Sequence, residues 1–101
     1  MENIAIYLKF YANCYHSGDY NKYFCFKMSS VESLSSMMSR FEHRGFCFLS
    51  AWIEGRINGN VMFNFQVLKR KNFQIEYFFD NIKKCKIFES KLLKHIMKSV
   101  N

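Results

Sequence analysis

The chain has 101 residues, half of them hydrophobic and 23% charged, with a formal net charge of +7. That length is one domain's worth, and the balance excludes a wholly disordered chain. No apolar run reaches the roughly 18 residues that a membrane-spanning helix needs.

From Asn3 to Asn13, Ile4, Ile6, Leu8, Phe10 and Ala12 alternate with Asn3, Ala5, Tyr7, Lys9 and Tyr11. A period of two over this length predicts a strand with one buried face. His16-Ser17-Gly18-Asp19 offers turn chemistry. A second strand from about Tyr20 to Met28 sets Phe24, Phe26 and Met28 on one face and Tyr23, Cys25 and Lys27 on the other, so the two form a hairpin.

Between Ser29 and Gly45 the period changes. Ser29-Ser30-Val31-Glu32 fits a capping box, and Val31, Leu34, Met37, Met38 and Phe41 recur at helical spacing. Gly45 stands where a left-handed residue ends a helix.

Phe46–Ile57 and Asn60–Lys69 flank Asn58-Gly59, a dipeptide suited to the positive φ values of a two-residue hairpin turn. Strict pairing outward from that turn sets Arg56 opposite Val61, Glu54 opposite Phe63, Trp52 opposite Phe65 and Ser50 opposite Val67. This face, with Phe48, is the expected core face, and Trp52 is expected to be buried beneath the Ser29-capped helix. The reverse face then carries Leu49, Ala51, Ile53, Met62, Asn64, Gln66 and Leu68, and Gly55 marks a bulge.

Asn72–Phe79 reads as a strand by β-propensity, although Ile75, Phe78, Phe79 and Ile82 also suit a helix. Asp80 can cap a final helix with Ile82, Cys85, Phe88, Leu92, Ile96 and Val100 as its apolar stripe. The fold expected is α+β: an antiparallel sheet of four or five strands with two helices, ordered β-β-α-β-β-(β)-α, in one compact domain over residues 1–101.

Two compositional departures bear on function. Aromatics reach 19%, with 12 Phe, 6 Tyr and 1 Trp, and there is no proline. A chain this small has little interior for so many rings, and aromatics on a surface mark binding. A small Phe-rich core is the competing reading. The charge is also lopsided: residues 1–50 hold five basic and four acidic side chains, residues 51–101 ten and four. Lys83, Lys84, Lys86, Lys91, Lys94 and Lys98 fall on one face of the last helix. Such a face suits an acidic partner or simply keeps the protein soluble.

Tyr7, Lys9, Tyr11, Tyr23 and Lys27 share the second face of the first hairpin. If both helices pack on the opposite side, this face is open to a partner; if the last helix covers it, it is a second core layer. Tyr beside Lys on an open sheet suits a stacked single strand of nucleic acid, and Tyr is equally an anchor in protein interfaces. Arg44-Gly45-Phe46-Cys47-Phe48 matches only the beginning of the RNA-recognition consensus, and the element order departs from that module.

No phosphate-cradling loop, H-E-x-x-H or G-x-S-x-G occurs. Cys14, Cys25, Cys47 and Cys85 form no C-x-x-C pair, so neither a metal nor another cofactor is expected. The N-terminal residues lack a basic region followed by an apolar one, which predicts a cytoplasmic chain with reduced thiols. His16, His43 and a nearby lysine could form the acid, base and phosphate stabiliser of a small ribonuclease.

The leading expectation is a small non-enzymatic protein that inhibits by occlusion, of the immunity-protein, antitoxin or anti-defence type. It would bind one protein that is acidic at the contact, through Tyr7, Lys9, Tyr11, Tyr23, Lys27, Lys83, Lys84, Lys86, Lys91 and Lys94. No membrane partner is expected, and an oligomer is allowed. The alternative is a basic nucleic-acid-binding domain, including a metal-free ribonuclease.

Overall fold

The computed structural model describes residues 3–14 and 20–100, the side chains of 95–100 excepted. Strand β1 (Ile4–Cys14) pairs antiparallel with β2 (Asn21–Met28) on one side and with β3 (Phe46–Ile57) on the other. β3 continues into β4 (Asn60–Lys71), and β4 into the short β5 (Gln74–Tyr77), giving one antiparallel sheet in the order β2-β1-β3-β4-β5. A 3₁₀ turn (Val31–Ser33) leads into helix α1 (Leu34–His43), and helix α2 (Phe79–Val100) ends the chain. The α+β architecture is thus as the periodicities predict, and Gln74–Tyr77 is strand. The turn His16–Asp19 lies outside the described residues.

Both helices cover the same face of the sheet. Phe41 of α1 meets Phe10, Phe26 and Phe46, with ring centroids 5.2, 4.7 and 5.4 Å apart. Phe88 of α2 meets Phe63 and Phe65 at 5.5 and 5.9 Å. Phe63 and Phe65 stand opposite Gly55 and Ile53, which in turn stand opposite Ile6 and Leu8 of β1. One core therefore runs from Phe41 of α1 through Phe10 and Ile53 to Phe63 beneath α2, with the part-exposed Phe26 and Phe88 at its margins. Phe10, at its centre, touches five other rings.

The Asn58-Gly59 turn forms as expected, with φ of 50° and 83°. Ile57 opposite Asn60 and Arg56 opposite Val61 also hold. Beyond them the register departs from strict pairing. One shift falls between Gly55 and Arg56, where Gly55 predicts a bulge, and another between Ala51 and Trp52, so that Val67 is an extra residue on β4. A third shift, on the β1 side, leaves Leu49 as an extra residue between Phe48 and Ser50. An odd residue reverses the parity of everything after it. Ala51, Ile53 and Gly55 consequently face the core, and Trp52, Glu54 and Arg56 face away from it. The expected burial of Trp52 beneath α1 is corrected: Trp52 is half-buried on the sheet's other face, opposite Gln66 and Lys9.

These bulges free backbone carbonyls that distant groups satisfy. Arg70 Nε donates to the Phe48 carbonyl at 2.7 Å, Asn81 Nδ2 to that of Gln66 at 2.8 Å, and the Phe78 amide to that of Val67 at 3.0 Å. The capping box also gives way to a tertiary contact. Ser30 is the cap residue of the 3₁₀ turn without a side-chain bond, and the Val31 amide donates to Glu89 Oε2 of α2 at 2.9 Å. Glu32 reaches Lys86 of α2 at 3.2 Å instead of turning back on its own backbone. Gly45, at φ 93°, follows α1 as the left-handed residue expected there.

Candidate functional site

The face of the sheet that turns away from the helices carries the candidate site. β1 contributes Tyr7, Lys9 and Tyr11; β2 contributes Tyr23, Cys25 and Lys27; β3 contributes Ser50, Trp52, Glu54 and Arg56; β4 contributes Asn64 and Gln66. Among the described residues no helix or loop packs over it, so this face is not a second core layer.

Its aromatics form a row across the strands. Tyr11 stands directly opposite Tyr23, ring centroids 4.6 Å apart, and Tyr23 lies 6.4 Å from Trp52. Tyr23 is 73% exposed, so its ring stands proud of the sheet with one flank supported by Tyr11. The two flat amphipathic rings cost little side-chain entropy to immobilise, which is what an anchor residue needs.

Beside this row lies an ion cluster. Glu54 is only 4% exposed although no helix covers it. Arg56 Nε donates to its Oε2 at 2.9 Å, and Lys9 Nζ stands 3.8 Å from its Oε1. A carboxylate so far out of water requires such partners. The Arg56 guanidinium also stacks 4.7 Å from the Tyr7 ring centroid. The outcome is a rigid plate in which Tyr7, Arg56, Glu54 and Lys9 hold one another in place.

Ser50, Trp52, Glu54 and Arg56 are the site residues that strict alternation places wrongly. A signal for them exists in the sequence: burying Glu54 and Arg56 on a core face is costly, whereas Ala51, Ile53 and Gly55 are suited to one. Meanwhile Leu49, Ala51, Ile53 and Met62, expected to extend the tyrosine face, do not. Ala51 and Ile53 are fully buried in the core, and Leu49 and Met62 fall at the bulges.

The lysines of α2 lie elsewhere. Lys83, Lys84, Lys86, Lys91 and Lys94 are all exposed on the helix side of the sheet, the opposite side from the tyrosines. Lys84 sits 5.8 Å from the Phe65 ring and Lys91 5.6 Å from that of Phe88, so both also shield the aromatic layer under α2. The structure does not bring the two candidate sets into one groove.

Comparison with protein-family models, with curated proteins and with solved structures finds no match.

A cavity of about 570 Å³ lies between α1 and α2, walled by Leu34, Met38, Tyr77, Phe79 and Ile82 with Glu42 and Lys86 at its rim. Glu32 also lines it and pairs with Lys86 at 3.2 Å. Of the ribonuclease candidates, His43 is exposed in the last turn of α1, and His16 lies outside the described residues. Among the described residues no group of three His, Cys, Asp or Glu side chains is placed to hold a metal ion, and no helix is long and apolar enough to cross a membrane. Burial pushes the Cys85 thiol up to about 11, the charge of Glu89 adding to the shift and a backbone hydrogen bond opposing it. Cys25, by contrast, is exposed on the open face.

Proposed function

We propose that this protein is a non-enzymatic inhibitor that acts in the cytoplasm by covering a surface of one protein partner, docking through the open face of its sheet. One observation carries the reading: Tyr7, Tyr11, Tyr23 and Trp52 lie together on a preorganised face that neither helix covers. A rigid aromatic patch of this kind supplies the anchors of a protein interface, and occlusion needs no reacting group. The edge cation Lys27 and the exposed lysines of α2 favour a partner acidic at or near the contact.

A protein suits this face better than a nucleic acid. Lys9 and Arg56, beside the rings, are already engaged by Glu54, Lys27 and Lys69 stand further along the face opposite Tyr7 and Ser50, and the lysines of α2 point to the other side. A single-strand platform wants stacking rings and free cations along one groove. The row Tyr11–Tyr23–Trp52 keeps nucleic acid as the second reading.

The sole tryptophan lies inside the site, so its emission reports on occupancy. The experiment is affinity capture from nuclease-treated lysate of the native host on wild-type protein and on Tyr23→Ala, followed by titration of the retained protein against Trp52 emission. One protein held by wild type, at least about tenfold weaker on Tyr23→Ala and shifting Trp52 emission, supports the reading. Retention of nucleic acid from untreated lysate, with log affinity falling by about 0.7 per phosphate per decade of salt, transfers the site to the second reading.

A further inference from the structure

β2 closes one side of the sheet, and among the described residues no strand pairs with its outer edge. It is the longer of the two edges, eight residues against the four of β5. Six of its eight residues are exposed, and only Met28 is buried. Phe26 rests on Phe10 and Phe41 yet remains 37% exposed. An edge with unpaired backbone groups and apolar flanks is a template for another strand.

We propose that the occupant is β2 of a second copy of this chain, paired antiparallel about a two-fold axis that passes through Cys25 perpendicular to the sheet. Such an axis leaves the helices of both copies on the same side, and residues directly opposed across the join share a face. Pairing is then determined by where the axis falls. At Cys25, Phe24 opposes Phe26 of the second copy on the helix side, and Tyr23 opposes Lys27 of the second copy on the open side. Lys22 opposes Met28, where its aliphatic stem can lie along the thioether. Aromatic pairs and cation–ring pairs are the favourable cross-strand combinations, and no like charges meet.

Neighbouring registers lose this match. With the axis at Phe24, Phe26 opposes Lys22. With the axis at Phe26, Tyr23 opposes Ser29 and Lys27 opposes Cys25, so both cation–ring pairs vanish. The Cys25 register alone among these pairs the whole of 22–28 with itself. It also extends the core, because the exposed flank of Phe26 gains Phe24 of the second copy. The two open faces then lie side by side on one continuous sheet. The join shares Tyr23, Cys25 and Lys27 with the face proposed above for a protein partner, so its test reads the oligomeric state of the purified chain and not partner binding.

Cys25 is exposed at the axis, so its replacement tests the join without disturbing the core. Light scattering of purified protein should show the mass rising from the 12.2 kDa of one chain towards twice that value at high micromolar concentration. Cys25→Lys sets two ammonium groups against each other and should weaken dimerisation at least about tenfold. An equimolar mixture of Cys25→Lys and Cys25→Glu should restore it, and circular dichroism should show both variants folded as wild type. A wild type that stays monomeric overturns the proposal, and that is also the outcome if the edge serves a foreign strand. So does a dimer indifferent to Cys25→Lys, or a loss that the mixed pair does not repair.

Discussion

The Phe63 ring occupies the space that a β-carbon on Gly55 would need: its Cζ lies 2.6 Å from that position, well inside contact distance. Phe63 is 5% exposed and stacks on both Phe65 and Phe88, so it cannot swing aside freely. The bulge next to Gly55 and the packing of α2 on β4 thus depend on one missing side chain. Gly55→Ala should destabilise the fold by about 1–3 kcal/mol, the range for overpacking. Chemical denaturation of this variant beside Gly59→Ala separates the causes. At Gly59, φ is +83° and nothing lies within 4 Å, so only the backbone term, about 1–2 kcal/mol, applies.

Glu89 joins the two helices by accepting the Val31 amide at the start of the 3₁₀ turn. Glu89→Ala removes that acceptor and should cost about 1 kcal/mol, as loss of a cap does. Glu89→Gln keeps an acceptor of similar reach and should cost less. Amide exchange at Val31 reports the local effect: it should accelerate in Glu89→Ala before global unfolding does.

Cys85 provides a pH test. Its thiol stays protonated to about pH 11 in the folded chain, whereas an unfolded cysteine loses its proton near 8.5. Below the unfolded value both states hold the proton and stability is insensitive to it. Above that value the unfolded state sheds its proton first, so stability falls as pH rises through the window up to about 11. Cys85→Ala should remove this alkaline loss, measured as the change in denaturation midpoint with pH. Thiol labelling of native protein should modify the exposed Cys25 well before the buried Cys85.

The lysines of α2 are separated from the aromatic face by the sheet and a helix layer, at or beyond the screening length of about 8 Å at physiological salt. Reversing Lys83, Lys91 and Lys94 to Glu should therefore slow association with an acidic partner several-fold at low salt and little at physiological salt. Dissociation should be unchanged. Lys83 and Lys94 are exposed, so thermal stability should hardly move, apart from the small loss where Lys91 leaves the Phe88 ring. Stopped-flow kinetics on the triple variant at two ionic strengths checks this, and unchanged rates at both would reduce these lysines to a solubility role.

Much of the molecule is legible in local pattern. The alternation from Ile4 to Met28 determines the first hairpin, and with it the shared face of Tyr7, Lys9, Tyr11, Tyr23 and Lys27. That face holds because β1 and β2 pair without interruption from Asn13 opposite Asn21 to Ile6 opposite Met28. The helical period from Leu34 to Phe41, the left-handed Gly45 and the Asn58-Gly59 turn are likewise local chemistry, in which the residues that specify an element are the element. Tertiary structure decides what no window of neighbours contains. The parity of β3 turns on the extra residue Leu49, and the carbonyl freed beside it is satisfied by Arg70, 22 residues away. The start of the first helical segment is capped by Glu89, 58 residues away, although a capping sequence is present on the spot. Only the packing of α2 on β4, through Phe63, Phe65 and Phe88, leaves the tyrosines uncovered and separates them from the lysines. Strand alternation is a two-valued code, so one inserted residue inverts its reading, and whether the insertion is tolerated depends on partners that folding alone brings near.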